Sequence, residues 1–170
     1  MNQQNHTSES VCDEVLIAIR RIIQSIELHS RALVRQFGLT GPQLVILQEL
    51  SRLGEISVGD LSKAVSLSQA TVTGILERLA KRGLITRRRS QSDRRRVLVH
   101  ATPQGKEILE QAPPLMQESF IRQFSNLRDW EQMMILSSLQ RLVNMMDAKN
   151  FRAYPFLTTD PIDNEGHNVS

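Results

Sequence analysis

From Val11 to Phe37, apolar side chains return at Val15, Ile19, Ile22, Ile26, Leu33 and Phe37. These spacings of three, four or seven predict one long helix with Gly38 as its terminator. A helix of that length carries more apolar surface than a small domain can cover. Thr40 and Gln43 form a Thr-x-x-Gln capping box for a second helix, with Pro42 in the first turn, where no amide partner is lost, and Gly54 at the end. Ser57 and Asp60 repeat the box and open a short helix over 58–65, whose apolar face is Leu61, Ala64 and Val65. Ser68 then caps a fourth helix, in which Val72, Ile75, Leu76 and Leu79 fall at i, i+3, i+4 and i+7 and which Gly83 stops. Short strands are predicted over 84–87 and 97–101.

The reverse face of the fourth helix carries Gln69, Ala70, Thr71, Thr73, Gly74, Arg78 and Lys81, small or short polar groups near its start and cations near its end. Two short helices joined by a tight turn, the second with such a face, describe a helix-turn-helix. An ordinary solvated face in a helical bundle is the plainer alternative, and the chain after Gly83 weighs against it. Arg88, Arg89, Ser90, Gln91, Ser92, Asp93, Arg94, Arg95 and Arg96 connect the two strands as a basic hairpin, or wing. Residues 55–102 hold ten cations against four anions, a net +6, which leaves −3 for the rest of a 170-residue chain whose total is +3. Cations so segregated suit the phosphates of a duplex, where each neutralised charge releases a condensed counterion.

Side-chain chemistry distributes the roles. Gln69 matches an adenine edge, and Thr71 or Thr73 a thymine methyl or a phosphate, whereas Arg78, Lys81 and Arg82 lie too far along for more than the DNA backbone. Arg87, Arg88 and Arg89 are backbone candidates on the wing. Arginine is drawn into narrow minor grooves by their concentrated negative potential, and an acidic neighbour can hold its guanidinium in one orientation.

The arrangement Leu39-Thr40-x-x-Gln43, residues 61–65, residues 68–83 ending Leu-x-Lys-Arg-Gly-Leu-Ile, and Asp93-Arg94-Arg95-x-x-x-Val99-x-Ala101-Thr102-x-x-Gly105 resembles the MarR family of bacterial transcriptional regulators over roughly residues 11–148. The resemblance implies a mainly α fold with a small β-wing: a winged helix-turn-helix DNA-binding domain (39–102) and a helical dimerisation domain built from both chain ends (11–38 and 103–150). Residues 1–10 and 151–170 are expected to be flexible termini. The resemblance also implies that the face Ser68, Gln69, Ala70, Thr71, Thr73 and Gly74 reads the major groove, while Arg95, flanked by Arg94 and Arg96 and braced by Asp93, enters the minor groove. Gly74 departs from the family's pattern of a longer side chain there, which allows a close approach to DNA and removes one base reader. Family members often bind small aromatic or anionic effectors between the two domains, and His29, Arg31 and Arg35 are the nearest candidates here.

The second half of the chain points to dimerisation. Thr102 caps and Pro103 starts a fifth helix that Pro113 and Pro114 should interrupt, with a kink expected near Ala112. A last helix over 129–149 sets Ile135, Leu139, Leu142 and Met146 on one stripe, widened by Met134, Leu136, Val143 and Met145. Burial against a second copy is the economical cover for so much apolar surface; a long intramolecular bundle is the alternative.

Composition narrows the remaining classes. One cysteine excludes a disulfide scaffold or a multi-cysteine metal site, and seven aromatic residues leave little for base stacking on single strands. Cys12 stands beside Asp13 and Glu14, whose charges disfavour a thiolate, and the family's peroxide sensors hold their thiol near the position of Leu16 among tyrosines, where this chain's single tyrosine is Tyr154 in the tail; redox sensing is not expected. There is no Gly-rich phosphate loop, His-Glu-x-x-His pair or Gly-x-Ser-x-Gly elbow, and His6, His29, His100 and His167 are scattered, so neither an enzyme nor a metal or other cofactor is expected. A polar start and the lack of any apolar run near the roughly 18 residues of a membrane span predict a soluble, cytoplasmic protein. Double-stranded DNA, a second copy and a small-molecule effector are the expected partners. A sequence-indifferent architectural DNA binder, or a winged helix that contacts RNA or protein, is the rival class. Within the family, residues 15–21, 127–148 and Pro155-Phe156-Leu157 look similar to repressors of ectoine, or compatible-solute, synthesis genes, and Tyr154, Phe156 and Leu157 are candidates to dock on the dimerisation domain.

Overall fold

Capping chemistry sets where the helices begin. In a computed structural model, which describes residues 3–91, 93, 96–150 and 157, with side chains from residue 10 onward except that of Asn150, the described elements are seven α-helices, three strands and a 3-10 turn. They run α1 (Gln3–Phe37), α2 (Gly41–Leu53), β1 (Ile56–Ser57), α3 (Val58–Ala64), α4 (Gln69–Lys81), β2 (Ile85–Arg89), β3 (Val97–Ala101), α5 (Pro103–Gln111), α6 (Met116–Phe124) and α7 (Asp129–Met145), with the 3-10 turn at Ala148–Asn150. Gln43 accepts a hydrogen bond from the Thr40 amide at 3.0 Å, Ser57 from Asp60 at 3.1 Å, Ser68 from Thr71 at 3.1 Å and Thr102 from Gly105 at 3.1 Å. Each satisfies an amide that the first helical turn leaves without a partner.

One core holds the middle of the chain together. Leu39, Leu44, Leu47, Leu61, Leu76 and Leu84 have lost essentially all contact with solvent, and they bring α2, α3, α4 and the sheet into one cluster. Leu33 joins this core and fixes the C-terminal end of α1 upon it. The sheet has the order β1-β3-β2, all antiparallel, with Ile56 opposite Val99 and Arg87 also opposite Val99. At Gly83 the backbone takes φ +71°, a left-handed conformation that turns the chain directly from α4 into β2.

The Thr102-x-x-Gly105 signature gains a structural meaning. Thr102 donates to the Gly83 carbonyl at 2.8 Å, and the Thr102 amide donates to the Leu84 carbonyl at 3.0 Å. Gly105 is pressed so closely on that same Leu84 carbonyl that a Cβ would collide with it. The start of α5 is thereby knitted to the turn that ends α4.

Three expectations are corrected and one element is added. Helix α1 starts at Gln3, so residues 3–10 extend the first helix; nothing between them and Val11 breaks a helix. Strand β1 is an addition, because two residues carry no periodicity and acquire strand geometry only by pairing with β3. The two prolines produce a full break in place of the expected kink: α5 ends at Gln111, Ala112 is extended with ψ 140°, and α6 begins at Met116. The last helix stops at Met145, where Asp147 turns left-handed with φ +55°, so residues 146–149 do not continue it.

Helices α6 and α7 contain no buried residue, and on α7 Trp130 is 60 % and Met145 79 % exposed. Along α1, Val15, Leu16, Ile22 and Ile23 are exposed as well. The single chain therefore covers a winged-helix core and leaves three apolar helical faces open. In the tail, the Leu157 amide donates to Gln117 on α6 at 3.3 Å, while Tyr154 and Phe156 lie outside the described residues.

Replacing Gly105 by alanine should destabilise the fold by about 1–3 kcal/mol, the usual cost of overpacking. Gly59→Ala, on α3 with nothing within 4 Å of the added carbon, should be neutral or stabilising by up to about 1 kcal/mol. Equilibrium denaturant unfolding of the two variants checks both signs.

Candidate nucleic-acid interface

Val72, Ile75, Leu76 and Leu79 are all buried, and this burial fixes which way α4 faces. Gln69, Ala70, Arg78 and Lys81 are exposed and Thr71, Thr73 and Gly74 half-buried on the remaining surface. Ser68 and Thr71 spend their hydroxyls on each other at 2.7 Å, and the Thr73 hydroxyl donates to the Gln69 carbonyl at 2.8 Å. Thr73 thus keeps its methyl group and oxygen lone pairs available to an outside partner. Gln69 makes no side-chain hydrogen bond to another described residue, so its amide retains the full donor and acceptor pattern that suits a base edge.

The wing springs from β2 and β3, with Arg88 opposite Leu98 and Arg89 opposite Val97. Its loop is closed by the Ser90 amide on the Arg96 carbonyl at 2.9 Å, the Arg96 amide on the Asp93 carbonyl at 2.9 Å, and the Asp93 amide on the Ser90 hydroxyl at 3.3 Å. Arg94 and Arg95, and with them the expected bracing of Arg95 by Asp93, lie outside the described residues. Arg89 is exposed on β2, and Arg87 lies 4.0 Å from Glu77 of α4.

Three arginines are held by acceptors distant in sequence that the sequence reading does not pair with them. Arg88 makes a two-pronged bond to Glu55, Nε to Oε1 and Nη2 to Oε2, both at 2.5 Å. Arg96 donates to Asp60 Oδ2 at 2.5 Å and to the Ser57 hydroxyl at 3.1 Å, while that hydroxyl itself donates to Asp60 Oδ2 at 2.6 Å. Arg82 turns away from the position expected of a DNA-backbone contact: it donates to the Phe37 carbonyl at 2.9 Å and to the Gly38 carbonyl. A cation there complements the negative end of α1. Glu55 also lies 3.8 Å from His100, whose ring is in hydrogen-bond reach of the Thr86 hydroxyl. A usable signal exists in the sequence: Glu55 and Asp60 are two of only four acids in a stretch of ten cations.

His29, Arg31 and Arg35 do not converge within one chain. His29 is half-buried with an enclosed Nε2 that has no hydrogen-bond partner, whereas Arg31 and Arg35 are exposed. At 100° per residue the two arginines project from roughly the opposite side of α1, and Arg31 is engaged with Glu27 at 3.3 Å. No described helix is long and apolar enough to cross a membrane.

Comparison with known proteins agrees with this geometry. The family model described as "MarR family" matches residues 39–97, which contain the inward stripe of α4, strand β2 and the wing loop up to the start of β3. The HTH-type transcriptional regulator YsmB of Bacillus subtilis (strain 168) is 32 % identical over 132 residues, 78 % of this chain and 90 % of that protein. The chain belongs to the MarR family. It is thus a DNA-binding transcriptional regulator of the MarR type with a winged helix. Among solved structures, Bordetella bronchiseptica BpsR, whose DNA binding is regulated by 6-hydroxynicotinic acid, is similar with 32 % identity and a TM-score of 0.52, over 76 % of this chain and 98 % of that one. A MarR variant from E. coli complexed with operator DNA is similar with 26 % identity and a TM-score of 0.50, over 75 % of this chain and 94 % of that one.

Both anchoring carboxylates are held below their usual range, Glu55 chiefly by its hydrogen bonds from Arg88, and Asp60 chiefly by the Ser57 hydroxyl and then by the charges of Arg96 and Lys63. Each takes up its proton less readily folded than unfolded. The anchoring is therefore complete above the ordinary carboxylate range and is lost only as pH falls beneath that range, through the lowered values of the folded state. The Arg88 side-chain Nε–H resonance should stay constant from about pH 7 to about pH 5 and change only below that range; a change centred near neutrality would contradict the assignment.

Proposed function

We propose that two copies of this chain form a cytoplasmic repressor that binds a pseudo-palindromic operator, each copy laying α4 in a major groove and its wing along the adjacent minor groove. The observation that carries the reading is the buried inner stripe of α4, which leaves Ser68, Gln69, Ala70, Thr71, Thr73 and Gly74 as the outward face beside an arginine-rich hairpin. In this reading Gln69 and Thr73 discriminate bases, Ser68, Ala70, Thr71 and Gly74 shape the close approach, Arg78, Lys81, Arg87 and Arg89 meet phosphates, and Arg94 and Arg95 supply the minor-groove contact with Asp93 as brace. Residues 39–102 act as the DNA-binding lobe, and 11–38 with 103–150 as the dimerisation domain.

The open apolar faces of α1, α6 and α7 support pairing. A two-fold dimer presents two lobes to successive major grooves about 34 Å apart, which is why the operator should be a pseudo-palindrome. Bound across a promoter, such a dimer represses by occlusion. A small molecule that favours a different lobe spacing lowers the population able to bind, and the enclosed, unpartnered Nε2 of His29 favours a site on the inner side of α1. The resemblance of residues 15–21 and 127–148 to compatible-solute repressors makes ectoine synthesis genes the first regulon to test.

Sedimentation should give a dimer, and footprinting on the gene's own upstream region should show a two-fold site preferred over random duplex by about a thousandfold or more. Gln69→Ala should relax sequence preference by about 1–3 kcal/mol at one position, while Arg95→Ala should weaken every duplex and lower the salt slope by about one. A monomer, or equal affinity for all duplexes, would overturn the reading in favour of an architectural binder.

A further inference from the structure

The face of the sheet turned away from buried Val99 holds an arrangement that DNA contact does not explain. By the strand register, Ser57, Leu98 and Arg88 form one row across β1, β3 and β2. Glu55 precedes β1 and Asp60 stands in the first turn of α3, so two acids flank the short strand at the sheet's edge. Each takes one leg of the wing: Glu55 binds Arg88 at the end of β2, and Asp60 with Ser57 binds Arg96 just before β3. The partners are 33 and 36 residues apart in sequence, so these are tertiary ties between the wing and the start of the helix-turn-helix.

Coulomb's law makes the acids costly where they stand. A carboxylate on a surface that meets phosphates repels the ligand, and removing it should strengthen binding unless it does something that outweighs the repulsion. We propose that Glu55, with Arg88, and the Ser57–Asp60 pair, with Arg96, form a clamp that sets the angle of the wing to α3 and α4, and that Arg88 and Arg96 are positioning residues rather than phosphate or groove contacts. The proposal rests on the DNA-binding reading and deepens it: the wing's phosphate and groove contacts then fall to Arg89, Arg94 and Arg95. Ordering is inexpensive here, because Ser57 and Asp60 are already fixed as the cap of α3 before Arg96 joins them.

The sign of one substitution separates the two roles. If Arg96 or Arg88 touches DNA, Asp60→Asn and Glu55→Gln remove a competing acid and should tighten binding. If the arginines clamp the wing, the same variants should weaken binding by roughly two- to fivefold per lobe, the range of exposed ion pairs. The affinities of wild type, Glu55→Gln, Asp60→Asn, Arg96→Gln and the Asp60→Asn/Arg96→Gln double variant should be measured on one operator duplex, with thermal unfolding recorded to show that each remains folded. The double variant should bind no worse than Arg96→Gln, and Asp60→Glu, which keeps the carboxylate, should recover most of the loss. Binding equal to or tighter than wild type in both acid variants overturns the clamp. Amide hydrogen exchange without DNA supplies an independent readout: the clamp requires faster exchange across residues 88–98 in the acid variants and unchanged exchange in α4, and unchanged exchange in both overturns it. Failure of wild type to bind any duplex would instead refute the DNA-binding reading and leave the exchange result to decide the clamp.

Discussion

Burial of four residues on one side of one helix governs everything this molecule presents to a partner. Val72, Ile75, Leu76 and Leu79 are drawn into a core with Leu44, Leu47 and Leu61, and an α-helix has only one opposite side to offer. Small and hydroxyl-bearing residues occupy that side, so the backbone can come near a surface that a longer side chain would hold away. Turning α4 by one residue would put Thr73 in the core and Val72 in water, at a cost of a few kcal/mol for burying a hydroxyl and exposing a valine. The geometry of the interface is thus set from inside, and the outward residues were free to be chosen for recognition.

The elements that can be read in the sequence are those whose cause is local. Ser57, Ser68 and Thr102 each cap a helix by accepting from an amide three residues on, Thr40 gives its own amide to the side chain of Gln43, and such caps need no knowledge of the rest of the chain. The inward stripe of α4 is legible for the same reason. Strand β1 is different: Ile56 and Ser57 become a strand because β3 lies beside them, and no window of two residues can announce that. The break after Gln111 is legible in place and underestimated in kind, since two successive prolines remove two amides and force Ala112 out of the helical region, more than a bend can absorb. At the interface, residue type and charge mark the basic surface, but not how its cations are divided. Arg82, Arg88 and Arg96 look alike in sequence to Arg89, and their acceptors lie 33 to 45 positions away.

This division changes how the charge of the lobe should be understood. A net +6 over residues 55–102 supplies long-range attraction regardless of internal pairing, because an ion pair between Arg88 and Glu55 was already counted as zero. Short-range contact depends instead on which guanidiniums still have donors to give. Attraction and contact are therefore carried by different subsets of the same cations. The acids that subtract from the first quantity improve the second by fixing where the wing stands.

Arg82 links the lobe to the rest of the molecule. It caps the C-terminus of α4, and its guanidinium rests on the carbonyls of Phe37 and Gly38, which end α1. Leu33 and Leu39, on either side of that turn, are buried in the same core as α4. The last turn of α1 and the end of the outward-facing helix are consequently joined through packing and through hydrogen bonds at once. The apolar remainder of α1 stays uncovered, so whatever settles upon it acts on a lever whose short arm is bonded to α4. Helix α1 has 35 residues and is about 50 Å long at 1.5 Å per residue, so its uncovered length extends far beyond the turn that Arg82 holds.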